Sequence, residues 1–162
     1  KKKNCKKIIF FSSIAVYGPG EHKKNEFTNT IPSTPYGQSK LFAESNYTDW
    51  QKNNFNRNIL TICRPGVVFG PGESGNVTRL VNIIKKNNFF YMGNMDLRKA
   101  GIYVKEIINC VNWVNNNQLK KNFSRLIIFN GTYHPCPKLK DYVRAISLEF
   151  NRNTNYISIP KK

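Results

Sequence analysis

Apolar positions along this chain alternate between short unbroken runs and helical stripes. Ile8-Ile9-Phe10-Phe11 is a continuous apolar run, the pattern of a strand buried on both faces of a parallel sheet. Ile59-Leu60-Thr61-Ile62-Cys63 is a second, stopped by Pro65-Gly66, and Leu126 to Phe129 is a third. Between them lie stripes of helical period. A helix is predicted from about Tyr36 to Lys52, with Ala43, Tyr47 and Trp50 on one stripe. Val77, Leu80, Val81 and Ile84 recur at i, i+3, i+4 and i+7. A helix over Lys105 to Asn117 would turn Ile107, Ile108, Val111 and Val114 inward, and Leu139, Tyr142, Val143, Ile146 and Phe150 mark another. Phe89 to Met92, Ile102 to Val104 and Tyr156 to Ile159 read as short strands. Gly/Pro-rich loops fall at Tyr17 to Pro35 and at Gly70-Pro71-Gly72. Strands alternating with helices longer than ten residues predict an α/β fold with a mostly parallel sheet.

Composition changes that picture little. The 162 residues are 40% hydrophobic and 13% aromatic, enough for a packed core and too much for a disordered basic tail. A net charge of +17 raises nucleic-acid binding as a class. The Lys residues are scattered, however, and 23 Asn accompany them in surface-type stretches, as in a chain drifting toward Lys and Asn codons. No nucleic-acid partner is expected. Cys5, Cys63, Cys110 and Cys136 show no two-residue spacing, and His22 and His134 join no ligand array, so no metal site is expected and a reduced, cytoplasmic setting is the simplest reading. No apolar run is long enough to span a bilayer, so no membrane partner is expected. The Lys-rich start reads as a basic entry into a strand rather than a signal peptide.

The chemistry lies in Ser13, just past the first strand, with Tyr36 and Lys40 at i and i+4 near a helix start. Side chains at that spacing share a helix face. An ammonium beside a phenol favours the phenolate, which makes a general base. A serine hydroxyl from the strand end can then hold the reacting oxygen. That set suits removal of a proton from an alcohol whose hydride leaves for a nicotinamide.

Three flanking motifs follow in order: Phe11-Ser12-Ser13-Ile14-Ala15-Val16-Tyr17-Gly18, Thr34-Pro35-Tyr36-Gly37-Gln38-Ser39-Lys40, and Cys63-Arg64-Pro65-Gly66-Val67-Val68-Phe69-Gly70-Pro71-Gly72. Together they resemble the extended short-chain dehydrogenases/reductases, specifically the NAD-dependent epimerase/dehydratase family acting on nucleotide sugars. The resemblance runs from about Ile8 to Pro160 and matches that family's later portion. It implies a partial Rossmann-like, doubly wound parallel sheet with a small mixed α/β substrate-binding part. Residues 1–70 would be the later half of the NAD-binding domain, and 71–162 mostly the nucleotide-sugar part with returning sheet elements. No GxGxxG or GxxGxxG fingerprint occurs, so the chain is expected to be a fragment, inactive and unable to bind NAD on its own.

By the same resemblance, Ser13, Tyr36 and Lys40 are catalytic. Ser12, Tyr36, Lys40, Pro65 and Gly66 would hold the cofactor NAD. Ser13, Asn76, Arg79, Arg98 and Lys99 would meet the nucleotide sugar, Asn76 where a helix start offers N–H groups to a diphosphate. Val67 stands where many members carry a sugar-contacting Asn. A homodimer packed through the Tyr/Lys helix is implied, its stripe Ala43, Tyr47, Trp50 serving either that mate or its own sheet.

Ile14 and Ala15 occupy the positions where the family's 4,6-dehydratases carry Asp-Glu, and neither moves a proton. Glu21 and Glu26, on the Lys-rich loop expected to be flexible, are poorly placed to replace that pair. The reading is therefore a UDP-sugar 4-epimerase. Its alternatives are another nucleotide-sugar oxidoreductase or dehydratase of the family, or an inactive remnant.

Overall fold

The computed structural model describes residues 5–20, 22–87, 89–90, 94–120 and 122–152. In chain order it forms β1 (Lys7–Phe11), a 3-10 turn (Ile14–Tyr17), α1 (Pro35–Lys52), β2 (Ile59–Pro65), β3 (Val67–Phe69), α2 (Asn76–Lys85), β4 (Gly101–Tyr103), α3 (Val104–Asn117), β5 (Leu126–Gly131) and α4 (Leu139–Glu149). Two compact units result: Lys1–Gly66 with Lys105–Gly131, and Val67–Val104 with Thr132–Lys162.

The first unit is an α/β layer built on β2. That strand pairs in parallel with β1 on one side and β5 on the other, and Ile59 through Arg64 are all buried. A central parallel strand is covered on both faces, which is why its sequence is apolar nearly throughout. Thr61, its one hydroxyl, donates to Gln118 Oε1 at 2.6 Å, and Gln118 Nε2 donates to the Leu60 carbonyl at 3.2 Å. Those bonds place the end of α3 over one face. Phe10 stacks on Tyr47 of α1 at 4.8 Å between centroids, which places α1 over the other.

α1 starts where its sequence can start a helix. Thr34 caps it, accepting from Gly37 N at 3.1 Å, and Pro35 fills the first turn.

Three expectations differ in this unit. Ile9 and Phe11 are exposed, so β1 is not buried on both faces. Among the described residues β1 is paired as a strand only with β2, so it stands at the edge of the described sheet. Ile108 is 49% exposed and Ile107, Val111 and Val114 carry the buried stripe, because residue 108 lies about 100° around the helix from 107. The loop after Tyr17 is also more fixed than its composition suggests. Gly18 (φ 68°) passes so close to Ile31 that a Cβ would fall 2.0 Å from its carbonyl oxygen, and Glu26 Oε1 accepts from Asn130 N at 2.8 Å.

The second unit joins β3 and β4 in parallel and packs α2 on α4 around Ile84 and Val143, with Leu80, Phe89, Met95, Leu139 and Ile146 against them. Phe69 is ringed by Tyr103, Tyr133 and Tyr142 at 6.0–6.3 Å. Phe89 and Phe90 lie in no strand, contrary to expectation. Residues 91–92 and the strand expected over 156–159 fall outside the described residues. No described helix is long and apolar enough to cross a membrane.

Candidate active site

The carboxyl ends of β1 and β2 and the start of α1 lie at one end of the first unit's sheet, the end where open parallel α/β sheets hold ligands. Ser13 caps the 3-10 turn: its Oγ accepts from Ala15 N at 3.2 Å, which leaves the hydroxyl proton available to donate. Ser12, beside it, is buried, and its Oγ has no hydrogen-bond partner among the described residues. An unpaired buried hydroxyl is costly, so its presence at a strand's carboxyl end points to a polar group arriving there.

α1 approaches this turn closely. A Cβ on Gly37 would stand 2.7 Å from the Ala15 carbonyl oxygen, so the helix bearing Tyr36 can come this near only with glycine in that place. Tyr36 itself is 55% exposed. Lys40, one turn on, donates to the Phe11 carbonyl at 2.9 Å. Its Nζ stands 5.3 Å from the Phe10 ring centroid and 5.7 Å from that of Tyr36. At the end of β2, Gly66 donates its N–H to the Gly131 carbonyl at 3.1 Å, with Pro65 in register beside Gly131.

The remaining expected residues belong to the second unit. Asn76 is the first residue of α2, and Gly75 holds the cap position before it. The helix start already holds an anion. Glu73 Oε2 accepts from Thr78 N at 2.9 Å, and the Thr78 hydroxyl bonds both that carboxylate and the Glu73 carbonyl. Bonds from the Thr78 hydroxyl and backbone hold the Glu73 carboxyl below its usual range. Arg79 bonds back to the Gly75 carbonyl at 3.3 Å. Arg98 donates to the Cys136 carbonyl at 2.5 Å, and the Lys99 N–H to that of Pro137 at 2.9 Å. Asn76 and Arg79 thus share one turn of α2, while Arg98 and Lys99 sit on a separate segment tied to residues 136–138.

Sequence reasoning passed over Arg64, Glu44 and Tyr17. Arg64 Nε and Nη2 donate to Glu44 Oε1 and Oε2 at 3.0 and 2.6 Å, with the two side chains 6% and 5% exposed. Nη1 donates to Tyr17 Oη at 2.8 Å, and Tyr17 Oη donates to Asn130 Oδ1 at 2.8 Å. Burial alone would lower the Arg64 pKa, but the bonds to Glu44 and Tyr17 outweigh it and raise it. The signal was present: an arginine in an otherwise apolar strand demands an anion, since Arg and Glu are almost never fully buried unpaired.

A parallel α/β sheet with Ser13 just past β1, and Tyr36 and Lys40 on the first two turns of α1, is the arrangement to be compared with known proteins. The chain belongs to the NAD dependent epimerase/dehydratase family, whose model matches residues 1–125. It is 29% identical over 160 residues to the N-acetyl-α-D-glucosaminyl-diphospho-ditrans,octacis-undecaprenol 4-epimerase of Escherichia coli O157:H7, covering 99% of this chain and 47% of that protein. Its fold is similar to that of the UDP-N-acetylglucosamine 4-epimerase of Methanobrevibacter ruminantium M1 (TM-score 0.75, 21% identity, 97% of this chain and 51% of that one). It is similar also to the UDP-glucuronic acid 4-epimerase of Bacillus cereus in complex with NAD (TM-score 0.75, 20% identity, 94% and 50%). The chain therefore spans about half the length of these relatives.

Proposed function

We propose that the protein carrying this chain is an NAD-dependent 4-epimerase of diphosphate-linked sugars, UDP-hexoses in the first instance. The observation that carries this reading is Lys40, bonded to the Phe11 carbonyl and standing beside the Tyr36 ring. In this reading residues 1–70 contribute to the cofactor domain and 71–162 mostly to the sugar-binding part, and the protein is a homodimer.

The residues present suit the cofactor. The unpartnered Ser12 hydroxyl gives a buried polar contact, Lys40 keeps ammonium protons beyond the one given to Phe11, and Pro65-Gly66 offers a flat wall. What NAD supplies when bound is a reversible acceptor for the hydride of the sugar's C4. The chain's own residues handle the proton. Ser13 donates its hydroxyl hydrogen bond to the sugar O4, Tyr36 takes the O4 proton as general base, and the Lys40 ammonium stands beside it. The same Tyr36 proton returns to O4 after the keto sugar has turned over. Asn76, Arg79, Arg98 and Lys99 are assigned to the diphosphate, with Glu73 leaving the α2 start when it binds.

Ile14 and Ala15 support epimerisation over dehydration. Both lie in the 3-10 turn directly after Ser13, and neither side chain can protonate a leaving hydroxyl. Glu26 does not replace them, because its carboxylate is held by the Asn130 N–H.

A second substrate class shares the chemistry. The Escherichia coli relative matching 99% of this chain is by name an epimerase of a polyprenol-diphosphate sugar. Proton NMR of the full-length protein with UDP-glucose, UDP-N-acetylglucosamine and a polyprenol-diphosphate N-acetylglucosamine separates the two. New anomeric signals with the first pair support the nucleotide sugar, and with the third alone the lipid-linked one.

A further inference from the structure

The segments that carry the catalytic residues meet at one buried ion pair. Tyr17 ends the 3-10 turn that Ser13 caps, Glu44 stands on α1, and Arg64 directly precedes Pro65-Gly66. Glu44 follows Lys40 by four residues and Tyr36 by eight, so all three side chains leave α1 on one face. We propose, on the footing of the epimerase reading, that the Arg64–Glu44 pair with Tyr17 is a positioning device that sets where Tyr36 and Lys40 stand relative to Ser13 and Pro65-Gly66.

The physical case has two parts. An ion pair taken out of water is a poor source of stability, because desolvation offsets its attraction and well-packed apolar residues of like volume do as well or better. A planar guanidinium bound at both carboxylate oxygens does fix a direction. Apolar side chains would hold α1 on the sheet and still let it slide or turn. The fork from Nε and Nη2 to the two Glu44 oxygens permits one orientation of that helix face.

The helix is then held at two points. Near its start, Gly37 meets the Ala15 carbonyl with no room for a side chain. Two turns later, Glu44 is tied to Arg64, and Arg64 to Tyr17 at the far end of the same 3-10 turn. The guanidinium also lies 5.0 Å over the Tyr17 ring centroid. Tyr17 passes the constraint to Asn130 on β5. Tyr36 and Lys40 sit between the two fixed points or beside them, so neither can shift without breaking one.

The test uses the full-length protein with two variants. Glu44→Leu/Arg64→Met replaces the pair by apolar residues of similar size. Arg64→Lys keeps the charge and loses the fork. The first is expected to fold with a melting temperature near or above the parent's and the second to fold with a lower one, while in both kcat falls about 10- to 100-fold and KM for the sugar stays within about threefold. Native kcat in either folded variant overturns the proposal.

A readout independent of turnover accompanies it. With 13C-labelled tyrosine, the Tyr36 signal, assigned through Tyr36→Phe, is expected to shift or broaden in both variants while Tyr103 and Tyr142 stay in place. An unchanged Tyr36 signal overturns the proposal even where no sugar is turned over and the epimerase reading itself has failed.

Discussion

Lys40 gives one ammonium proton to the carbonyl of Phe11 at 2.9 Å, and the same nitrogen lies 5.7 Å from the ring centroid of Tyr36. One side chain therefore reports to both the end of β1 and the proposed general base. Lys40→Met in the full-length protein is expected to lower kcat by about 100-fold or more and to weaken retention of NAD. Tyr36→Phe is expected to lose about as much turnover while keeping the cofactor. Kinetics with NAD content measured on the purified variants checks both. A Tyr36→Phe enzyme with near-native kcat would mean that another group moves the proton.

The core makes a plain energetic demand. Leu60 is fully buried near the start of β2, so Leu60→Ala is expected to cost about 2–5 kcal/mol through lost transfer energy and the cavity left behind. Urea unfolding followed by circular dichroism checks it. A change below about 1 kcal/mol would mean that the neighbouring elements collapse into the space.

The stripe Ala43, Tyr47, Trp50 was open between a dimer mate and the chain's own sheet. The Phe10–Tyr47 ring contact gives Tyr47 to the sheet, whereas Phe42 is 70% exposed on α1. Tyr47→Glu is expected to destabilise the fold, and Phe42→Glu to convert a dimer to monomer with the fold intact. Light scattering and thermal melts on the two variants separate these effects.

Burial pushes the Cys63 thiol up to about 12, with the nearby Cys110 adding to the shift. At mildly alkaline pH Cys63 is expected to stay protonated and unmodified by iodoacetamide in the folded protein, while the exposed Cys5 and Cys110 react. Peptide mass spectrometry before and after unfolding checks the order.

Asp96 accepts from Lys140 at 2.7 Å and Lys138 at 2.9 Å, and these bonds, Lys140 first, lower its pKa to about 2. The folded value lies below the ordinary aspartate value, so its stabilising contribution is whole above about pH 4 and is lost as pH falls toward 2. Asp96→Asn is expected to flatten the acid limb of stability in that window. An unaltered limb would show that the lysine contacts do not persist in solution.

Much of this was legible in the chain itself. The unbroken apolar runs at Ile8 and Ile59 announce parallel strands because such strands are covered on both faces, and the stripe of α2 is plain because one face packs on Val143. Ile9 and Phe11 misled for a physical reason: a run of apolar residues says what a strand tolerates, and lateral neighbours decide what is covered. Ile108 misled because two adjacent apolar residues cannot both lie at the centre of a helix's buried stripe. Val67–Phe69 was hidden as a strand, since three residues carry too little periodicity. The spacing of Tyr36 and Lys40 gave the helix face outright. The Arg64–Glu44–Tyr17 cluster joins three segments distant in sequence, so only the folded chain brings it together. Glu73 at the α2 start was unreadable for a related reason: the acid precedes the helix, and its reach forward to Thr78 depends on the turn at Gly75.

The most direct test of the reading is proton NMR of the full-length protein incubated with UDP-glucose or UDP-N-acetylglucosamine. The 4-epimerase reading, resting on Ser13, Tyr36 and Lys40 with Ile14 and Ala15 inert, expects a second anomeric signal from the C4 epimer that grows to a constant ratio, with no new methyl doublet. A methyl doublet from a 4-keto-6-deoxy sugar, or no second anomeric signal with either substrate or with a polyprenol-diphosphate N-acetylglucosamine, would contradict it.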